Sequence, residues 1–228
     1  MKRLGVIGGM GTEESNQFCL AISMSLRSRA GVQADINLEH LPISIVEEEK
    51  FIRGEETDEH RRLLRRAVGR LNKSEVDLIA IPCNTAHLFL EELRVLSQVP
   101  ILSIVEECAK ECQKRGFTTV GLLASTRTVQ EKLFEKVFEQ HHIQIMCPHR
   151  EQQEQISIII SKTLNGTFEP EDTAPFFLAM EFLQRHNCQA IILGCTNFSS
   201  LLAQNEVGLP LIDSQEILQQ AAIAALMG

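Results

Sequence analysis

Two short stretches place thiols beside hydrogen-bonding side chains. Ile81-Pro82-Cys83-Asn84-Thr85-Ala86-His87 follows the apolar run Leu78-Ile79-Ala80, and Ala190-Ile191-Ile192-Leu193-Gly194 runs directly into Cys195-Thr196-Asn197. A cysteine where a buried strand gives way to a helix meets unpaired N–H groups and the positive end of a helix dipole. Both favour the thiolate, which makes the residue a base or a nucleophile. Asn84, Thr85, Thr196 and Asn197 add short side-chain donors beside the same helix starts, an environment for a carboxylate. One thiolate and one thiol on opposite faces of an α-carbon would remove its proton on one side and return a proton on the other. That exchange inverts the stereocentre. A single cysteine is more often a small core hydrophobe, so the chemical reading rests on the pair.

The elements that must position the pair repeat within the chain. Leu4-Gly5-Val6-Ile7-Gly8-Gly9-Met10-Gly11-Thr12 matches Val120-Gly121-Leu122-Leu123-Ala124-Ser125-Thr126-Arg127-Thr128. The run ending in Cys83 matches the run ending in Cys195, and Val99-Pro100-Ile101-Leu102 matches Leu209-Pro210-Leu211-Ile212. Three blocks in one order indicate a duplication. Between them the apolar spacing is helical: Leu63, Ala67, Val68 and Leu71 in Glu59 to Leu71, and Leu133, Phe134 and Val137 in Val129 to Val137. Strands alternating with helices predict βαβ units and parallel sheets. The expected fold is therefore α/β, two pseudo-symmetric parallel-sheet domains with the active site in the cleft between them. The first domain is expected to comprise residues 1–98 with 209–228, and the second residues 99–208. Ligands of such sheets bind beyond the carboxyl ends of the strands. Gly8 to Gly11, Cys83, Ser125-Thr126 and Cys195 are all predicted to lie there, with the two cysteines facing each other.

With these motifs in place, the chain resembles the aspartate/glutamate racemase superfamily of cofactor-independent amino-acid racemases. The resemblance rests on IGGMG at 7–11, PCNTAH at 82–87, VGLLAST at 120–126, LNGTF at 164–168 and ILGCTN at 192–197. It implies that Cys83 and Cys195 are the acid and base, that Asn84, Thr85 and Thr196 bind the substrate carboxylate, and that Gly9, Met10 and Ser125 lie near the ligand. It implies an acidic amino acid as substrate, aspartate ahead of glutamate. Asn197 stands where aspartate-type members commonly carry Glu and peptidoglycan-type glutamate racemases His. Leu41-Pro42-Ile43-Ser44 replaces the Pro-Asp-Arg stretch of some aspartate racemases, leaving Arg53 and Lys162 as candidates to read a distal carboxylate. The alternatives are a related isomerase or hydantoin-type racemase on the same scaffold, and an amino-acid-binding homologue without catalysis. Dimers are common in the family, so a homodimer is expected.

Bulk properties agree with a small-molecule enzyme. The net charge of −8 over 228 residues argues against a nucleic-acid surface. The run Glu47-Glu48-Glu49-Lys50 mixes signs as solvated helix faces do. Apolar runs are too short for a membrane span or a secretory leader, so a cytoplasmic protein without a membrane partner is expected. Seven scattered cysteines suit reduced thiols. No cofactor and no metal is expected: Cys108 and Cys112, with Cys147 and His149 the nearest supplement, read as core or surface thiols.

Overall fold

The computed structural model describes residues 2–55, 58–198 and 208–228. β1 (Leu4–Gly8), β2 (Ile36–His40) and β3 (Leu78–Ala80) form a parallel sheet in the order β2-β1-β3. β4 (Thr119–Ala124), β5 (Gln144–Met146), β6 (Ile191–Gly194) and β7 (Leu211–Asp213) form a second in the order β5-β4-β6-β7. The first half also contains α1 (Thr12–Ala30), α2 (Ile45–Arg53), α3 (Glu59–Lys73), α4 (Leu90–Leu96) and α5 (Ile104–Lys114). The second contains α6 (Thr126–Gln130), α7 (Leu133–Phe138), α8 (Arg150–Leu164), α9 (Ala174–Arg185) and a last helix, Ser214–Met227. Val129 to Val137 is not one helix as expected. Lys132 takes φ 52° between α6 and α7, a break with no Gly or Pro to announce it.

The duplication persists down to hydrogen bonds. Ile101 bridges Ile79 beside β3, in the place that β7 takes beside β6. Ile79 N donates to Pro100 O at 2.9 Å, and Ile191 N to Pro210 O at 3.0 Å. These pairings depart from the expected boundaries, which put Ile101 in the second domain and Leu211–Asp213 in the first. Each Pro-led extended segment pairs with the sheet strand next to it, so Ile101 stays with the first sheet and β7 with the second. Residues 199–207 of the expected second domain lie outside the described residues.

The helices following those segments tie the halves together. α5 leaves the first sheet and packs on α7, the last helix leaves the second and packs on α1, and the two pack on each other. One apolar core is thus shared: Leu4, Val6, Phe18 and Ile22 from one half meet Val120, Leu122, Phe134 and Phe138 from the other, with Cys108 and Cys112 among them. Alternate strand residues face outward into separate cores, Ile7 and Ile79 in one half, Leu123 and Ile191 in the other. Strands buried on both faces explain their unbroken apolar runs. Among the described residues no helix is long and apolar enough to cross a membrane.

Equivalent glycines let a helix close on each central strand. A Cβ on Gly5 would meet Leu71 Cδ1 of α3 at 3.0 Å, and one on Gly121 would meet Leu183 Cδ1 of α9 at 2.7 Å. Replacing either with Ala should lower stability by about 1–3 kcal/mol through overpacking, with Gly121→Ala the more damaging. Calorimetric melts of the two variants test this, and equal or raised melting temperatures would refute the packing argument.

Candidate active site

The carboxyl ends of β1, β3, β4 and β6 converge on one cleft. After β1 the chain turns through Gly9 at φ 95°, where a Cβ would lie 2.5 Å from Leu41 O. Only glycine permits that approach, and it sets Met10 into the cavity wall. After β3 a 3-10 turn, Thr85–Phe89, begins immediately behind Cys83, so the amides of Thr85 and Ala86 point at its sulfur. His87 Nε2 accepts from Ile104 N at 3.1 Å, which leaves Nδ1–H to donate to Cys83 O at 2.9 Å. The buried ring, its pKa lowered by desolvation, is therefore a strut joining the cysteine turn to α5.

The polar residues beside Cys83 are cross-linked to the other half. Thr85 Oγ1 lies 2.9 Å from Ser125 Oγ and 3.1 Å from Thr128 Oγ1, and Ser125 Oγ donates to Thr128 Oγ1 at 3.0 Å. Ser214 Oγ spends its single hydrogen on Leu193 O at 2.7 Å, so it must accept from Asn84 Nδ2 at 2.9 Å. That fixes the amide orientation and leaves Asn84 Oδ1, a buried acceptor, without a partner among the described residues. Opposite, the Cys195 thiol donates to Asn197 Oδ1 at 3.5 Å, and Asn197 Nδ2 donates to Glu14 Oε1 at 2.7 Å.

A helix roofs the cleft. α2 buries Phe51 in the core of the first half and the adjacent Ile52 in that of the second. Arg53 donates to Ser161 on α8 at 3.3 Å, Glu49 accepts from Ser161 and Asn165, and Arg127 lies over the Phe51 ring at 4.7 Å. Beneath this roof Met10, Cys83, Asn84, Thr85, Ser125, Cys195, Thr196 and Asn197 line one cavity with Glu48, Ile52, Ile160 and Leu164. The open volume there is about 20 Å³, roughly one water molecule. Gly9, Glu13, Glu14, Thr196 and Asn197 line an adjoining outer basin, and Glu48 and Leu164 border both spaces.

Every nominated site residue thus lines the cleft. Arg53 and Lys162 do not: Arg53 is held by Ser161 and Glu49, and Lys162 by Asp172. Sequence reasoning missed Thr128, Ser214, Glu14 and Glu48. Glu48 is only 7% exposed, contrary to the solvated face expected of its charged run. Its spacing from Phe51 and Ile52, three and four residues, was the available signal. Cys108 and Cys112 are fully buried core thiols as expected. Among the described residues no group of His, Cys, Asp or Glu is arranged to hold a metal.

Burial raises both site thiols. Cys195 is pushed up to about 12, and Cys83 is pushed up as well despite its two amide donors. The charge of Glu48 adds to the rise at both, that of Glu14 adds at Cys195, and a Cys195 thiolate would raise Cys83 further. Ionising one sulfur therefore opposes ionising the other, which favours a thiolate–thiol pair over two thiolates.

The family model for Asp/Glu/hydantoin racemases matches residues 7–222. The chain is 26% identical over 226 residues to the broad specificity amino-acid racemase RacX of Bacillus subtilis, covering 98% of each. Its fold matches the Picrophilus torridus aspartate racemase, with TM-score 0.80, 21% identity and coverage of 99% and 94%. An aspartate racemase homologue from Pyrococcus horikoshii matches with TM-score 0.79, 22% identity and full coverage of both chains. With two cysteines in one interdomain cleft and this match along nearly its whole length, the chain belongs to the Asp/Glu/hydantoin racemase family.

Proposed function

We propose that the protein interconverts the D and L forms of an α-amino acid by two-base proton transfer between Cys83 and Cys195, without a cofactor. The observation that carries the proposal is the pair itself, two thiols from equivalent strand ends lining one cavity. Thiolate at one sulfur takes the α-proton while thiol at the other protonates the opposite face. The return reaction exchanges their roles.

The remaining lining residues have matching tasks. The substrate carboxylate sits among the hydroxyls of Thr85, Ser125 and Thr196, near the turn that follows Cys195. Asn84 Oδ1, the buried acceptor without a partner among the described residues, takes the α-ammonium, a different task from the carboxylate contact implied by resemblance. Aspartate is the substrate that the resemblance ranks first, and profiling against other amino acids tests that rank. Homodimeric assembly and a cytoplasmic location belong to the same reading. All seven cysteines are unpaired, as a reducing compartment would keep them.

With one enantiomer in heavy water, early product should carry deuterium at the α-carbon while recovered substrate does not, because the second thiol exchanges with solvent before delivering its proton. Cys83→Ala and Cys195→Ala should each lower racemisation about a hundredfold or more, and the double variant should lose little further. Near-normal racemisation by Cys195→Ala, or deuterium entering recovered substrate as fast as product, would overturn the two-base route.

The raised thiols set the pH dependence. A group whose pKa lies far above neutrality is almost wholly protonated at pH 7, so its thiolate fraction grows with pH. The value of kcat/KM should rise close to tenfold per pH unit from about pH 6.5 to 8.5. A plateau beginning below pH 8 would show that a reactive thiol titrates near or below its ordinary value, contrary to the buried site described here.

A further inference from the structure

The cleft is acidic where a racemase of acidic amino acids needs a cation. Glu48 borders both the inner cavity and the outer basin, and Glu13 and Glu14 line the basin. No Lys, Arg or His lines either space among the described residues, and Glu56, Thr57 and residues 199–207 include none. The cations on the roofing helices, Arg53 and Lys162, are engaged with Glu49 and Asp172. A second substrate carboxylate would therefore enter beside Glu48 with no cation lining the space to receive it.

Glu48 is held for a task. His60 Nε2 lies 3.0 Å from Glu48 Oε2, and the fully buried ring stacks on Phe51 with centroids 3.9 Å apart. His60 Nδ1 has no hydrogen-bond partner among the described residues. With a carboxylate oxygen as its partner, Nε2 carries the hydrogen and donates it, so the stacked ring fixes the direction in which Glu48 points. Ile52, Ile160 and Leu164 line the same inner cavity as the thiols and Glu48 and give it an aliphatic wall. Such a wall suits methylenes.

Resting on the racemase reading above, we propose that this site takes α-amino acids with a long aliphatic stem and a cationic head, the ornithine, lysine and arginine class, with Glu48 as the residue that receives the head group. The stem lies along Ile52, Ile160 and Leu164, and the ammonium or guanidinium meets Glu48 at the junction with the outer basin. The same charge offsets the acidic field that holds both thiols protonated. A cationic substrate thereby eases formation of the thiolate that attacks it.

The test uses the intact protein with L-ornithine, L-lysine, L-arginine, L-aspartate, L-glutamate and L-leucine, following α-deuterium incorporation and the rise in melting temperature at equal ligand concentration. The basic amino acids should lead in both, and Glu48→Gln, which keeps an acceptor for His60, should lower the basic-to-acidic ratio of kcat/KM about tenfold or more. A wild-type profile led by the acidic amino acids or by leucine overturns the inference, as does an unchanged ratio in Glu48→Gln. Absence of deuterium incorporation from all six would instead sink the racemase reading. In that event the melting-temperature shifts alone decide the side-chain class.

Discussion

The site depends on the apolar core that the two halves of the chain share. Each central strand is buried on both faces, so each sheet must find cover on the side turned toward the other. That cover comes from an exchange of helices: α5 leaves the first sheet to pack on α7, and the last helix leaves the second to pack on α1. Phe18, Phe134 and Phe138 are fully buried in this core, each contributing on the order of 1.5–3 kcal/mol by burial. Because the equivalent surfaces meet across a pseudo-two-fold relation, the strand ends carrying Cys83 and Cys195 are forced toward one cleft. Neither half alone could place two sulfurs around one atom.

Much of this was legible in the sequence because it is written as repetition. The apolar runs of buried parallel strands, the Pro-led segments and the two cysteine turns recur in order, and the cleft geometry follows from where parallel sheets put their carboxyl ends. The domain boundaries were less legible. Ile101 and Leu211 are extended residues whose neighbours are set by sheet edges, which local sequence does not name. The break at Lys132 escaped notice because its left-handed backbone falls at an exposed residue with no turn propensity of its own, inside an apolar spacing that continues on both sides.

The polar layer around the thiols was legible only in part. Motif residues next to the cysteines were visible, whereas Thr128, Ser214 and Glu14 reach the site by folding from distant positions. Glu48 was concealed by its company. In Glu47-Glu48-Glu49-Lys50 the charge run dominates, and only the three- and four-residue steps to Phe51 and Ile52 place this one carboxylate on the buried face.

Burial makes that carboxylate consequential. In water its field would be screened within about 8–10 Å at ordinary ionic strength, but at 7% exposure Glu48 keeps little solvent around it to do the screening. The field then acts on whatever shares the space: it opposes ionisation of both thiols, it disfavours a second substrate carboxylate, and it rewards a cation. In the two-thiol reaction proposed above, the charge of the bound molecule would therefore enter the acid–base chemistry, and side-chain selection and thiol activation would fall to the same residue.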